Sequence, residues 1–487
     1  MDRHQLKTSI LWIVVENVVT VISAFVLIAC ARLIGTHAFG LASIALFVGS
    51  LAETLVATAF NDSLIQRRTL DVSVIDTAHT SMVCVGLFVS LSLVLLGPVF
   101  AWIFHEPQLF ALIAVQGTTC FLMGLRGAPE AIIVRKLRFK SLSLRNITAK
   151  TASSLLYVGL ALAGAGAWSL TCSNVAFAFI ATCMIWGASR RKPKLRWRKS
   201  EALELFDFGF FNLMDAVLWT AIPRLFGFLA GYFHGVSAAG LLNIAFRIND
   251  TLCGIIVAVT HRIAFPYFSR IAHEPQRLRE AYGKGTRLTF LIAAPAFAGL
   301  ALVGNQVIEL TLGSQWAAAA PALAVVCFFS LFNFARLLSQ PAIKALGRPS
   351  LLLWLHGVGL CYITVGCTLT APYTLTAQLW VWALFGIVSY VTGAVLLRRA
   401  SGLSFLDQTR PLALGSAGGF GMTVCVLLLR PHLVTWSAFP TLIAEALAGG
   451  GVYFSIIFVM EWRTVMPLAG PYLRFLTNKL ITNRTDE

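Results

Sequence analysis

Residues 205–262 read LFDFGFFNLMDAVLWTAIPRLFGFLAGYF, then HGVSAAG, then LLNIAFRINDTLCGIIVAVTHR. Two apolar segments of membrane-spanning length flank a short turn that contains glycine. Inside them stand Asp215, Arg224, Arg247 and Asp250. An ionised side chain at mid-bilayer depth costs at least ~2.5–3.5 kcal/mol on insertion scales. Four of them in one hairpin indicate a wet, protein-walled space rather than lipid, and Arg224 and Arg247 are the residues expected to carry function.

The rest of the chain supports a membrane reading. Of its 487 residues, 57% are hydrophobic and only 12% charged, and the mean hydropathy is +0.78. Repeated apolar runs near membrane-spanning length point to helices, which satisfy their own backbone groups in lipid. A transmembrane barrel would alternate polar and apolar residues instead. The ten cysteines all fall in apolar runs with no CxxC or Cys/His spacing, so small core residues are expected rather than disulfides or a metal site. Residues 1–30 have the outline of a signal peptide, ending Leu27-Ile28-Ala29-Cys30, but the apolar stretch is too long for one and an uncleaved first span is expected.

Fourteen spans are expected, near 9–33, 41–60, 77–98, 109–125, 146–165, 167–188, 207–232, 239–261, 286–304, 320–336, 350–370, 376–397, 411–429 and 439–460. Numbering the intervening segments from the N-terminus, those on the N-terminal side hold 34 of the 38 basic residues. The remaining four are Arg32, Arg224, Arg247 and Arg430, within or at the ends of spans. The positive-inside rule therefore puts both termini in the cytoplasm. The same placement accounts for most of the +17 net charge and excludes a nucleic-acid partner. The densest basic run, RRKPKLRWRKS at 190–200, reads as a topogenic linker or as a contact for anionic lipid head groups.

That run falls at the midpoint of an internal repeat. Residues 35–45, GTHAFGLASIA, and 235–245, GVSAAGLLNIA, share six of eleven residues at an offset of 200. Both copies occupy the outer turn between the first and second span of a half, so the halves run in the same direction, as in transporters built from two lobes. The expected organisation is an all-α polytopic membrane protein with an N-terminal lobe (1–188), a basic cytoplasmic linker (189–206), a second lobe (207–398) and two further helices with a cytoplasmic tail (399–487).

Polar residues inside the spans supply the candidate site. Glu16 and Arg32 belong to the first span, Glu53 to the second, and Asn212, Asp215, Trp219 and Arg224 to the seventh. Asn243, Arg247 and Asp250 share one face of the eighth at i, i+4 and i+7, where Arg247 and Asp250 are placed to pair. Asp215 and Arg224, nine residues apart, lie on opposite faces of a regular helix unless Pro223 kinks it. Guanidinium forks suit phosphate, while Asn212, Trp219 and Asn243 suit sugar hydroxyls and ring faces.

Several segments resemble bacterial polysaccharide flippases of the Wzx/WzxC type, in the multidrug/oligosaccharidyl-lipid/polysaccharide exporter superfamily. ARLIGTHAFGLASIALFVGSL (31–51) resembles that family's Arg-Leu-Leu-Gly-Pro-x-x-Phe-Gly-Leu opening, with Thr36 in place of the usual Pro. SLIQRR (63–68), RKLRFKSLSLRN (135–146), GAGAWSL (164–170), FPYFSRIAHEPQRLREAY (265–282), LGSQWAAAAP (312–321) and ALGRPS (345–350) follow in the same order. Asp215 departs from the family's Asp-x-x-Leu-Ile-Gly, being followed by Ala216-Val217-Leu218-Trp219.

The resemblance implies a flippase rather than an enzyme. It implies alternating access by two lobes in the bacterial inner membrane, moving an oligosaccharide repeat unit on a lipid carrier, usually undecaprenyl diphosphate. The partners implied are the lipid-linked oligosaccharide, membrane lipids and the polysaccharide polymerase and export machinery. In that frame Arg224, Arg247 and Arg32 meet the anionic group. Glu53, Asp215, Asp250 and Glu16 are the candidates for proton or sodium coupling, and no other cofactor is expected. The alternative within the superfamily is a cation-coupled exporter of small organic cations. A membrane glycosyltransferase or polymerase is disfavoured, because Asp-x-Asp is absent and the outer loops are short.

Overall fold

The computed structural model describes residues 3–58, 60–67, 71–136, 138–189 and 192–482. Arg68, Leu137, Arg190, Arg191 and Arg484, which belong to the quoted motifs and basic segments, lie outside these. The described residues form seventeen α-helices and no strand: α1 (Arg3–Ile34), α2 (Thr36–Thr58), α3 (Asn61–Gln66), α4 (Val72–Phe104), α5 (Gln108–Arg135), α6 (Phe139–Leu162), α7 (Ala167–Ala188), α8 (Lys199–His234), α9 (Val236–Ile271), α10 (Pro275–Leu312), α11 (Ala319–Ala335), α12 (Ser339–Ala345), α13 (Ser350–Thr370), α14 (Leu375–Ser401), α15 (Phe405–Thr409), α16 (Ala413–Leu429) and α17 (Ala438–Thr482).

Among the described residues, twelve spans are long and apolar enough to cross a membrane. The long helices α6 and α9 are not among them; α6 carries Lys140, Arg145 and Lys150, and α9 carries Arg247 and Asp250. Large apolar side chains face outward, Phe88 at 71% and Leu95 at 77% exposure, as expected of a surface bathed in lipid. Most basic residues assigned to a loop at 126–150 prove to be helical. The α5–α6 connection is only 136–138, and Arg126, Arg135, Lys140, Arg145 and Lys150 sit on helix surfaces.

The offset of 200 seen in the sequence is exact in the backbone. Helices begin at Thr36 and Val236, each after a glycine with positive φ, 81° at Gly35 and 89° at Gly235. Glycine adopts that conformation without steric cost. The helices that follow these turns pack directly on one another, and α2 also packs on α5, α7 and α8. A Cβ on Gly40 would lie 2.1 Å from the Val236 carbonyl oxygen, and one on Gly240 would lie 2.6 Å from that of Thr36. The contact is reciprocal: 40 meets 236, and 240 meets 36. One apolar core runs across it, holding Phe39, Ile44 and Ala45 of α2 with Phe226, Ala239 and Ile244 of α8 and α9.

At the opposite end of the bundle the basic linker is stapled to α4. The Lys194 amide donates to Asp76 (3.0 Å), Thr80 to the Arg196 carbonyl (2.9 Å), the Trp197 indole to Ser81 (3.2 Å) and Thr77 to Glu201 (2.8 Å). Burial pushes the Glu201 carboxyl up, but hydrogen bonds from Thr77 and Ser73 and the Arg198 guanidinium outweigh it and hold Glu201 below the usual carboxylate range. The appended α16 and α17 pack on α10 and on each other. They are tied there by Arg430, whose Nε donates to Glu445 (3.1 Å) and whose Nη2 donates to the Leu302 carbonyl.

Candidate functional site

Arg224 lies eleven residues before Gly235 and Arg247 twelve after it. At 1.5 Å per residue both sit ~16–18 Å from the turn, close to the middle of a ~30 Å hydrocarbon layer. Helix α8 runs unbroken through Pro223, so the opposite-face geometry of Asp215 and Arg224 holds. Arg224 turns toward α2, with its Cζ 5.9 Å from the Phe47 ring centroid. Its Nε is buried with no hydrogen-bond partner. Asp250 and Glu53 are the carboxylates close enough to act on its charge, yet neither forms an ion pair with it within 4 Å.

Arg247 donates from Nε to Asn243 Oδ1 (3.2 Å), its partner one turn back. The expected pair with Asp250 does not form. At i+3 the carboxylate is close enough to feel the guanidinium but lines a cavity of about 280 Å3, where it stays exposed. That cavity lies between α8, α9, α11 and α14. Its polar lining includes Arg224, Asp250, Asn249, Ser330 and Asn333, and its aromatic wall is Trp219, Phe246, Phe329, Trp382 and Phe385. Asn249 is fixed by the Ser330 hydroxyl, which donates to its Oδ1 (2.8 Å).

The charges continue into the first half of the chain. Glu53 accepts hydrogen bonds from Thr119 and from Gln116 Nε2 (3.1 Å), and is near enough to Arg126 to attract it. Arg126 reaches Glu130 (3.4 Å), which also pairs with Arg145. The result is a chain of alternating sign, Arg145, Glu130, Arg126, Glu53, Arg224, Asp250 and Arg247, each acting on the next. Four guanidiniums against three carboxylates leave an excess of one positive charge. Arg126, Glu130 and Arg145 escape a hydropathy reading, because charges near a span end score as loop. The available signal was Arg126 and Glu130 at i, i+4 beside the apolar run AIIV.

The remaining candidates lie elsewhere. Asp215 lies one turn before Trp219, outside the cavity lining, and is held by Lys344 (3.2 Å) and His356 Nδ1 (2.8 Å), tying α8 to α12 and α13. Glu16 accepts from Ser143 (2.7 Å) and Asn146, and Lys150 donates to Thr20 (2.6 Å), so these polar groups of α1 lock it to α6. Arg32 is exposed at the end of α1, lying against the turn at Gly313, with its carbonyl accepting from Gln315 (2.7 Å). Asn212 is half-buried on α8 and outside the cavity lining, whereas Trp219 lines it and Asn243 supports Arg247 from behind. Among the described residues no cluster of three or more His, Cys, Asp or Glu has the geometry to hold a metal ion.

A family model described as "Polysaccharide biosynthesis protein" matches residues 29–321. The teichuronic acid biosynthesis protein TuaB of Bacillus subtilis (strain 168) is 24% identical over 353 residues, 71% of this chain and 72% of its own length. The succinoglycan biosynthesis transport protein ExoT of Rhizobium meliloti (strain 1021) is 20% identical over 445 residues, 90% of this chain and 89% of its own. The lipopolysaccharide biosynthesis protein WzxC of Escherichia coli (strain K12) is 23% identical over 62% of each chain. Among solved structures, the lipid II flippase MurJ in an inward closed conformation superposes with a TM-score of 0.72 at 11% identity, covering 93% of this chain and 100% of that one. An inward-facing multidrug resistance MATE family transporter superposes with a TM-score of 0.62 at 14% identity, covering 78% and 96%. At such identities the structures speak to fold alone.

Proposed function

This chain belongs to the polysaccharide biosynthesis protein family, among Wzx-type flippases, and from that premise we propose that it carries a lipid-linked oligosaccharide across the bacterial inner membrane by alternating access. Both termini are cytoplasmic in this reading, the chain crosses fourteen times, and the Gly35 and Gly235 turns face outward. Spans one to six and seven to twelve form the two lobes.

The observation that carries the proposal is the pair Arg224 and Arg247. They stand at one depth beside a cavity, and neither is neutralised by an ion pair within 4 Å. Buried guanidiniums normally have carboxylate partners, and one left open suits an anion that comes and goes. The diphosphate of the carrier would meet these forks, and the aromatic wall of Trp219, Phe246, Phe329 and Phe385 would take sugar ring faces. The lipid tail would stay in the bilayer. Glu53 and Asp250, each flanked by arginines in the charge chain, are placed to exchange a proton or sodium ion as the lobes rock.

The test is polysaccharide export in cells carrying Arg224→Ala or Arg247→Ala at matched membrane levels. Export should fall at least tenfold in each, and lysine replacements should restore part of it, since charge returns without the fork. Normal export in both alanine variants would defeat the assignment. Asp250, open to the cavity, favours a second reading as an exporter of organic cations. Loss of dye efflux with intact polysaccharide display on deletion would establish that one instead.

A further inference from the structure

Among the described residues, Arg126 and Arg145 pair with Glu130, and Arg224 has Asp250 and Glu53 close enough to act on its charge. Arg336 differs. It follows the last turn of α11, is 2% exposed, and has no carboxylate within 4 Å. Its side chain makes no hydrogen bond among the described residues, and Nε is fully buried without a partner. Its neighbours are neutral: the face of Trp219, 5.7 Å from Cζ to ring centroid, and the phenol of Tyr282, itself hydrogen-bonded to Ser339 (3.1 Å). Aromatic contact compensates a buried cation only in part. One hydroxyl in the neighbourhood of Tyr282, that of Tyr390, is likewise buried without a partner.

Position relates this group to the cavity. Trp219 is 40% exposed and lines the cavity, while Arg336 lies against its ring. Asn333, nearly one turn before Arg336, lines the same cavity. One indole therefore separates an uncompensated guanidinium from the space that holds Arg224. Trp219 stands five residues before Arg224 on α8, ~7.5 Å nearer the cytoplasmic end in the proposed orientation.

We propose that Arg336 is a second oxyanion-binding position, uncovered when Trp219 turns aside, that receives the anionic group of the substrate on the cytoplasmic side of Arg224. The inference rests on the flippase reading and adds a station to it. The planar fork takes two oxygens side by side, which a phosphate, a diphosphate or a sugar carboxylate can all present. The unpartnered hydroxyl of Tyr390 would supply a further donor.

The experiment uses the purified full chain in nanodiscs, with inorganic pyrophosphate, geranylgeranyl diphosphate and glucuronate as separate probes. Binding and melting temperature are measured for Arg336→Gln, Arg336→Lys and Arg224→Gln. Arg336→Gln should weaken binding of at least one probe tenfold or more while the melting temperature holds or rises, because the charge removed had no partner. Weakening confined to the two diphosphates assigns the position to the carrier, and weakening confined to glucuronate assigns it to an acidic sugar. Arg336→Lys should fold and bind with intermediate affinity, and binding equal to the parent would refute a role for the fork. A lower melting temperature in Arg336→Gln with unchanged affinity for every probe would make Arg336 a structural brace and overturn the inference. Affinity lost in Arg224→Gln but kept in Arg336→Gln would overturn it while leaving the flippase reading intact. Affinity kept in both would remove the two together.

Discussion

Adding one methyl group at Gly40 tests whether the α2–α9 crossing closes the outer face. The Cβ of Gly40→Ala would lie 2.1 Å from the Val236 carbonyl oxygen, where ordinary contact begins at 3.4 Å. The obstacle is backbone, so no side-chain rotation relieves it. The helices must part by about 1.3 Å, the difference of those distances, and overpacking of this kind costs ~1–3 kcal/mol. A penalty paid only in the outer-closed state shifts the equilibrium ~5- to 150-fold toward outward opening. Gly240→Ala should act in the same direction more weakly, since its Cβ would stand 2.6 Å from the Thr36 carbonyl. The assay places a single cysteine at Ser330, in the cavity wall, in a chain whose native cysteines are replaced. Intact cells are then treated with a membrane-impermeant maleimide. Labelling should rise in the order parent, Gly240→Ala, Gly40→Ala, with export falling in the same order. Parental labelling and normal export in Gly40→Ala would refute the reasoning, because the crossing would then bear no load in the cycle.

Three further outcomes follow from contacts away from the cavity. Arg430→Ala should lower the melting temperature more than Glu445→Gln, because Glu445 is wholly buried and Arg430 is 42% exposed, so only the first change strands a carboxylate, at ~3–5 kcal/mol. Thr77→Ala should destabilise the linker clasp at neutral pH, and the difference from the parent should shrink in acid, below the usual carboxylate range. Glu201 is held below the usual carboxylate range, so its contribution is present above the unfolded value and is lost as pH falls through the folded one, which melting curves across pH would show. His356→Ala should lower thermal stability by ~1–3 kcal/mol through loss of a buried polar partner of Asp215, measured as melting temperature, and His356→Gln should recover part of that loss.

Much of the membrane architecture was legible because a run of apolar residues long enough to cross lipid has few alternatives. The opposite faces of Asp215 and Arg224 followed from helical periodicity, and Pro223 did not disturb them. Where side chains find partners far away in sequence, the reading ran out. Asp215 was a coupling candidate on sequence grounds, and its contacts with Lys344 and His356 cross more than a hundred residues. Arg126, Glu130 and Arg145 were assigned to an aqueous loop because hydropathy counts each charge as a cost, whereas mutual pairing lets them ride on helices. The pairing of Arg247 with Asp250 failed because helical spacing fixes proximity, not direction. Asn243 holds the Arg247 guanidinium one turn back, and Asp250 was left facing the cavity.

The reciprocal crossing of α2 and α9 has the self-complementary form of a two-fold homodimer interface, folded into one polypeptide. In a true dimer any substitution strikes both copies at once, and the two sides cannot differ. Here each side is encoded separately, and the residues beneath Gly240 and Gly40 already have diverged, Thr36 on one side and Val236 on the other. A symmetric seam written twice in the same gene can be adjusted one stitch at a time.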